Sequence, residues 1–481
     1  MPNWKELQHY NVPKWLRDAK FAIYTHWGVY SVPACGPNAS WYPYNMYRKG
    51  TSQYEYHVKN YGLPEKFGYK DFIPQFTGEK FDAEEWAALF KAAGARIAGP
   101  VGEHHDGFTM WDSGYTKWNA KNMGPKRDVV GELEKAIKGQ GMKFMTAMHH
   151  AENWWFYPHW KTEYDVSNSL YAGLYGSSHN EEWIGKGEEL DANPLYQNQH
   201  IFWPTQQKPS KEFLDLWLNK LKELEDKYEP DLIWFDFGLK WVKEEYKKEF
   251  ISYYYEKARK QNREVAITYK WNDLVPGCGV EDIEQGRKSE LSYSFWVTDT
   301  TVDAGEAWGY IHNNSYKSTR ELIHYLVDNV SKNGALLLNV GPKADGSIPE
   351  EAKKILLEMG EWLKINGEAI YDTVPWICAG EGPTNAGQSG AFNEHALDYT
   401  EEDFRFTVKE NNLYAICMAA PGENVCIKSI GEYVYEDEIV SVHMLGVDEE
   451  LEYRYTYQGL YITCPKNLPG NYAYSFKITR R

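Results

Sequence analysis

Residues 210–238 read SKEFLDLWLNKLKELEDKYEPDLIWFDFG. They hold, in one stretch, the unit from which the fold is built. Residues 210–228 are amphipathic with a helical period and start at Ser210, a residue type that caps helix N-termini, with an acid close behind. The run DLIWFDFG (231–238) is short, apolar and aromatic, the pattern of a buried strand, and EEYKKEFISYYYEKARKQ (244–261) is helical again. Working outward, the same alternation extends from about residue 20 to about 370. Further strand candidates are FAIYTHWG (21–28), RIAGPVG (96–102), KFMTAMH (143–149), EVAITYKW (264–271), a weak one near 281–284, residues 291–297 and GALLLNV (334–340). Helical patterns fill 81–95, where Trp86, Leu89, Phe90 and Ala93 share one face, and 127–141, 318–334 behind Ser318, and 349–367. Eight strand candidates alternating with helices predict an α/β protein with a parallel sheet. Eight repeats predict a closed (β/α)8-like barrel over residues 1–373, although an open doubly wound sheet shares that periodicity.

The texture changes at Val374. FRFTVKENNLYAICMAA, SVHMLGVD and YRYTYQGLYITCP alternate in short runs separated by turn signals at Glu410-Asn411-Asn412 and Gln458-Gly459. Residues 374–481 therefore predict a C-terminal antiparallel β-sandwich. Residues 152–209 form a polar insertion containing WWFYPHW, long enough to shape the mouth of a barrel.

The chain has 481 residues, 42% hydrophobic and 25% charged, which suits a large buried core rather than disorder. Its 52 basic and 69 acidic side chains give a net charge of −17, which argues against nucleic acid or an anionic membrane as partner. Aromatic residues reach 16%, an excess that suits stacking on sugar rings. The six cysteines form neither a CxxC motif nor a dense framework and read as reduced thiols. No signal peptide and no apolar run of membrane-spanning length is visible, so the expectation is a soluble, cytoplasmic protein; a chain trimmed of its leader would read the same. Association into homo-oligomers stays open.

In a parallel barrel the chemistry sits where the strands end. Those ends carry His26, then Glu103-His104-His105-Asp106, then His149-His150-Ala151-Glu152, then Trp234-Phe235-Asp236, then Lys270, then Glu281-Asp282-Ile283-Glu284. Asp236 is read either as a cap on the following turn or as a carboxylate projecting into the mouth beside Trp234. His104 and His105 are adjacent, and neighbours on a regular strand face opposite ways, so both reach one ligand only if the strand ends there. A metal-dependent barrel hydrolase is another reading of the histidines, weakened by the single His in Tyr24-Thr25-His26-Trp27 where His-x-His is usual. HExxH, GxSxG, GKS/T and strand-following GxGxxG motifs are absent from the sequence, which leaves acid–base and carboxylate chemistry.

FAIYTHWGVYSVPA (21–34), EHHDGFTMWDS (103–113), DLIWFDFG (231–238), WGYI (308–311), SKNGALLLNVGPKADGSIPEEA (331–352) and WLKINGEAIYDTVP (362–375) resemble the alpha-L-fucosidases of glycoside hydrolase family 29. The resemblance covers residues 14–376. It implies a barrel followed by a sandwich, and retaining hydrolysis of terminal alpha-L-fucose from oligosaccharides or glycoconjugates, with no cofactor or metal. By position it assigns Asp236 as nucleophile. It also gives His26, His104, His105 and His149 as ligands of the sugar hydroxyls, Trp41 as the Trp of the Glu-Trp-Tyr loop, and Trp308 as the aromatic beside the sugar methyl. Within VEDIEQGR (280–287), Glu284 is the acid/base and Glu281 its rival. Trp234 and Lys270 complete the substrate-binding set, Lys270 standing where other members carry Arg. Two departures stand out. Ser40 replaces the Glu of Glu-Trp-Tyr, and Trp296-Val297 replaces the Trp-Glu that supplies the acid/base in some branches. They motivate two alternatives: a sugar-binding protein that has lost hydrolysis, or a glycosidase with an altered sugar preference.

Overall fold

The computed structural model describes residues 3–8, 10–178, 208–305 and 307–481. Eight parallel strands close into a barrel: β1 (Phe21–Thr25), β2 (Ile97–Glu103), β3 (Lys143–Met148), β4 (Leu232–Phe235), β5 (Ala266–Lys270), β6 (Val280–Asp282), β7 (Trp296–Thr301) and β8 (Gly334–Val340). Closure is made by β1 and β8, which pair in parallel from Phe21↔Leu336 to Thr25↔Val340. Every strand but β7 falls within two or three residues of its expected place. The sequence reading puts the seventh at 291–297, whereas β7 runs to Thr301, because Val297 to Thr301, all β-branched except Asp299, continue a pleated, buried run.

Side-chain alternation divides each strand between two cores. Ala22, Tyr24, Met145, Ala147, Leu232, Trp234, Ala266, Val280, Val297, Ala335 and Leu337 pack together inside the barrel. Their outward neighbours, among them Phe21, Ile23, Phe144, Ile233, Phe235, Ile267, Leu336 and Leu338, pack under the helices. Those helices span Ala83–Ala92, Val129–Gly139, Lys211–Tyr228, Glu244–Lys260, Thr319–Ser331 and Glu350–Asn366. Ser210 and Ser318 cap two of them, accepting the N–H of Phe213 and of Glu321. No helix lies between β5 and β6 or between β6 and β7. Loops 271–279 and 283–295 make these crossings instead, which leaves residues after β6 free to serve the barrel mouth. Of the insertion, residues 152–178 form short helical turns; residues 179–207 lie outside the described part of the chain.

The C-terminal part begins with β9 (Val374–Glu381). A five-stranded antiparallel sheet, in order β13 (Ile439–Met444), β16 (Tyr474–Arg480), β11 (Asn412–Cys417), β10 (Phe404–Lys409), β9, faces a three-stranded one, β12 (Asn424–Ile427), β15 (Gly459–Thr463), β14 (Tyr453–Thr456). Both predicted turn signals join paired strands, Lys409↔Asn412 and Thr456↔Gly459. All six cysteines are free thiols. Among the described residues no helix is long and apolar enough to cross a membrane.

A buried charge cluster ties the sandwich to the barrel. Arg405 on β10 donates to Asp328 Oδ1 at 2.6 Å, and Lys332 reaches Asp328 Oδ2 at 2.7 Å. Burial pushes the Asp328 carboxyl up, but the two cations prevail and hold it down at about 2. Asp328→Ala leaves both cations buried without their counter-charge, and guanidinium unfolding is expected to show a loss of about 3–5 kcal/mol. Because this carboxyl titrates below the ordinary ~3.9, its contribution is complete above about pH 4 and is lost as pH falls towards 2.

Candidate active site

The barrel interior is apolar at the strand starts and polar where the strands end. There Lys270 of β5, Asp282 of β6 and Asp299 of β7 meet. Lys270 Nζ lies 2.9 Å from Asp282, 2.6 Å from Asp299 and 3.4 Å from Glu284. Trp234 Nε1 donates to Asp282 at 2.6 Å, and the Tyr24 hydroxyl donates to Asp299 at 3.1 Å. This floor carries one ammonium against three carboxyl groups, all buried. Full ionisation would leave two uncompensated negative charges away from water, so protons are retained. Burial raises Glu284 well above the usual carboxyl range, and Asp299, Asp236 and Asp282 add to that against the pull of Lys270. Burial and then Asp299 raise Asp282 likewise.

Above the floor opens a pocket lined by Tyr24, His26, Ser40, Trp41, His104, His149, Trp234, Asp236, Phe237, Glu284, Asp299 and Trp308. Asp236 follows the end of β4 and lies against two imidazoles, His149 Nδ1 at 2.9 Å and His105 Nε2 at 3.2 Å. His105 Nδ1 is 2.8 Å from the His149 carbonyl, which only accepts, so that nitrogen carries a proton. Its Nε2 faces Asp236 and also Glu152 at 3.6 Å, and protonation there makes His105 an imidazolium. Burial opposes that charge, but Glu152 and Asp236 outweigh burial and raise the pKa of His105. For Asp236 burial is again the opposing influence; the two imidazoles overcome it and hold the carboxyl well below its ordinary value. The pocket thus presents two carboxyls whose pKa values are displaced in opposite directions.

His26, His104 and His149 are buried, and their pKa values are lowered, burial being the main cause, so they are neutral. His26 Nδ1 donates to Asn339 Oδ1 at 2.8 Å, leaving Nε2 as an acceptor. Trp308 sits in a left-handed backbone conformation (φ 54°), held by Asn339 Nδ2 donating to its carbonyl at 2.6 Å, and its ring centroid is 5.4 Å from that of His26. Trp41, on the single turn Ala39–Trp41, meets His105 and Phe156 edge-on at 5.2 and 5.1 Å. Ligand atoms of His26, His104 and His149 lie within 4.8 Å of one another, as do those of His105, His149 and Asp236. Three neutral imidazoles suit a borderline divalent cation as well as sugar hydroxyls, whereas His105 in its charged state has no lone pair to offer.

The structure brings Asp236, Glu284, His26, Trp41, His104, His149, Trp234 and Trp308 to one pocket and sets His105 behind Asp236. β2 stops at Glu103, so His104 and His105 are freed from strand alternation, their rings 4.5 Å apart. Two expectations need correcting. Glu281 is not at the pocket. It pairs in register with Tyr269 and Trp296 of the outward-facing set, its side chain is 47% exposed against 8% for Glu284, and it lies 3.4 Å from Lys288. Lys270 does not line the pocket; its ammonium is enclosed by the floor carboxylates. Asp299 was missed because the seventh strand was placed too early; the alternation within WVTDTT, with Val297 and Asp299 on one face, is the signal that finds it. Glu152 is named at the third strand end but given no role there, because its approach to His105 is set by the turn His150–Glu152 and not by strand alternation.

The alpha-L-fucosidase family model matches residues 1–368, and that of the alpha-L-fucosidase C-terminal domain matches residues 397–479. This chain belongs to the alpha-L-fucosidase family. It is 32% identical to the tissue alpha-L-fucosidase of Rattus norvegicus, covering 100% of this chain and 92% of that protein, and 31% identical to that of Homo sapiens, covering 99% and 91%. Among solved structures it resembles the alpha-fucosidase of Thermotoga maritima (32% identity, 99% of both chains, TM-score 0.77), which has also been crystallised in complex with fucose.

Removing the floor cation tests the charge balance. Lys270→Met leaves Asp282 and Asp299 facing each other without it, and a drop of about 3–5 kcal/mol in unfolding free energy is expected. Raising the pH should widen the deficit, because the remaining carboxyls must then ionise together.

Proposed function

We propose that this protein is a retaining exo-alpha-L-fucosidase, with Asp236 as nucleophile and Glu284 as acid/base. The observation that carries the reading is a pair of carboxyl groups on one pocket with pKa values pushed apart: Asp236 held low by His149 and His105 against burial, Glu284 held high by burial and neighbouring acids. Retaining hydrolysis needs this pair. Asp236 attacks the anomeric carbon while Glu284 gives its proton to the departing glycosidic oxygen, so the aglycone leaves as an alcohol. Forming the ester neutralises Asp236, which removes one of the charges that keep the proton on Glu284. Glu284 then accepts a proton from water attacking the ester-linked carbon, restoring both groups.

The neutral nitrogens of His26, His104 and His149 suit a sugar whose ring hydroxyls need both donors and acceptors. Trp308 offers an apolar wall for the methyl that distinguishes fucose from galactose. The pocket is closed at its base by Lys270, Asp282 and Asp299, which fits removal of a terminal residue. Ser40 lines the pocket at the position where the resemblance expects Glu, and its hydroxyl reaches less far than a carboxylate would. The substrates are fucosylated oligosaccharides or glycoconjugates.

Asp236→Gly should abolish hydrolysis of an aryl alpha-L-fucoside, and added azide should restore turnover with a product of inverted anomeric configuration. Calorimetric binding of fucose with no hydrolysis by the unaltered protein would instead favour a sugar-binding function. His149→Phe removes one of the two imidazoles that lower the pKa of Asp236. The acidic limb of the kcat/KM profile is therefore expected to move to higher pH, because a carboxyl with fewer stabilising donors loses its proton later.

A further inference from the structure

Glu284 lies on a loop, not a strand, and general acid catalysis needs a proton donor fixed within hydrogen-bond reach of its target. One side of this loop is held by the barrel. Ile283 and Gln285 donate their N–H groups to the carbonyls of Val297 (2.9 Å) and Asp299 (2.8 Å), and Thr298 Oγ1 binds the carbonyl of Ile283 at 2.7 Å. The other side is held by the sandwich. In the connection between β9 and β10, Phe392 N–H donates to the Glu284 carbonyl at 2.8 Å. Asn393 and Glu394 N–H both donate to the Gln285 carbonyl, at 2.9 and 2.8 Å, and Gly390 exchanges two backbone bonds with Arg287, at 3.0 and 3.1 Å. The carboxylate of Glu394 pairs with Lys317, whose ammonium also binds Thr300 Oγ1 at 2.7 Å and the Thr301 carbonyl at 3.1 Å, anchoring the segment to β7.

The loop needs this restraint. Gln285, directly after Glu284, has φ 43°, a left-handed conformation that is strained for a non-glycine residue and persists only where the surroundings impose it. The gripping segment falls in residues 369–396, between the stretches matched by the two family models.

We infer that residues 389–395 of the C-terminal domain are a positioning clamp for Glu284, so that the sandwich completes the catalytic apparatus of the barrel. The inference rests on Glu284 being the acid/base. In the clamped state the Glu284 carboxyl points into the pocket beside Asp299. Released, Gln285 relaxes and Glu284 swings out of line with the glycosidic oxygen, while Asp236 and the histidines, carried by other strands, stay in place.

Two variants loosen the clamp to different degrees. Glu394→Gln removes the charge that holds Lys317. Phe392→Pro deletes the N–H given to Glu284 and cannot adopt the φ of 53° found there. For each variant, and for Glu284→Ala, kcat/KM is measured on a 2,4-dinitrophenyl fucoside, whose leaving group needs no proton, and on a methyl fucoside, whose leaving group does. Fucose affinity is followed by calorimetry to show an intact pocket. Since general acid–base help is worth ~10²–10⁴, the clamp variants are expected to lose about tenfold or more on the methyl fucoside and about twofold or less on the activated one. Their basic limb should also shift to lower pH as Glu284 gains solvent. If Glu284→Ala shows the leaving-group selectivity but both clamp variants are unchanged, or lose both substrates equally, the clamp is refuted and the acid/base assignment stands. If Glu284→Ala itself lacks the selectivity, that assignment falls and the clamp falls with it.

Discussion

Everything at the mouth of this barrel follows from a shortage of positive charge beneath it. Lys270 supplies one ammonium to Asp282, Asp299 and Glu284 in a place water does not reach. A buried cluster of like charges relieves itself by keeping protons, and the carboxyl turned towards the pocket is one that keeps them. Beyond the end of β4 the balance is reversed. Two imidazoles converge on Asp236, and the pKa of one of them, His105, is raised by Glu152 and Asp236 against burial. The difference between the two places is electrostatic rather than chemical, since both present a carboxyl. That is how two carboxyl groups come to hold different roles within one small volume.

The barrel supplies the positions and the loops supply the exceptions. Asp236, Lys270, Asp282 and Asp299 stand at or near strand ends, where pleat and register decide which way each points. His104, His105, Glu284 and Trp308 leave the regular strands, and their directions come from turns, left-handed backbone and hydrogen bonds from other elements. Strand-borne groups tolerate perturbation elsewhere in the molecule. Loop-borne groups depend on what grips the loop, and Glu284 is gripped from both the barrel and the sandwich.

The parts of the molecule that were legible in the sequence are those governed by short-range periodicity. Helix 211–228 announced itself through its amphipathic period and Ser210, and β8 through the run GALLLNV. Asp236 was legible because an apolar run ended on a carboxylate. Glu281 and Glu284 could not be separated by local pattern, because β6 is three residues long and the face each side chain takes is set by pairing with β5 and β7, which are remote in sequence. Asp299 was hidden by a boundary: the polar run before β7 has strand-like residues, and only closure of the barrel fixes where pairing starts. The grip of residues 389–395 on the Glu284 loop spans about a hundred residues of sequence and runs mostly through backbone groups. Backbone hydrogen bonds leave little trace in side-chain identity.

The arrangement also bears on whether the pocket only binds sugar or transforms it. A binding site gains from neutral donors and acceptors whose hydrogen bonds are completed by the ligand, and His26, His104 and His149 are of that kind. It gains nothing from holding Glu284 and Asp282 protonated against one lysine, or from fixing an ionised Asp236 in the same enclosure. Each of these costs folding stability, because a pKa displaced by burial measures how much less stable the ordinary charge state has become. Such costs concentrate where a group must give or take a proton near neutral pH. The strained Gln285 beside Glu284 adds to them. A pocket that only bound sugar would have no use for them. That both carboxyls persist, with the imidazoles that divide their charge states, is what sets a hydrolytic pocket apart from a receptive one.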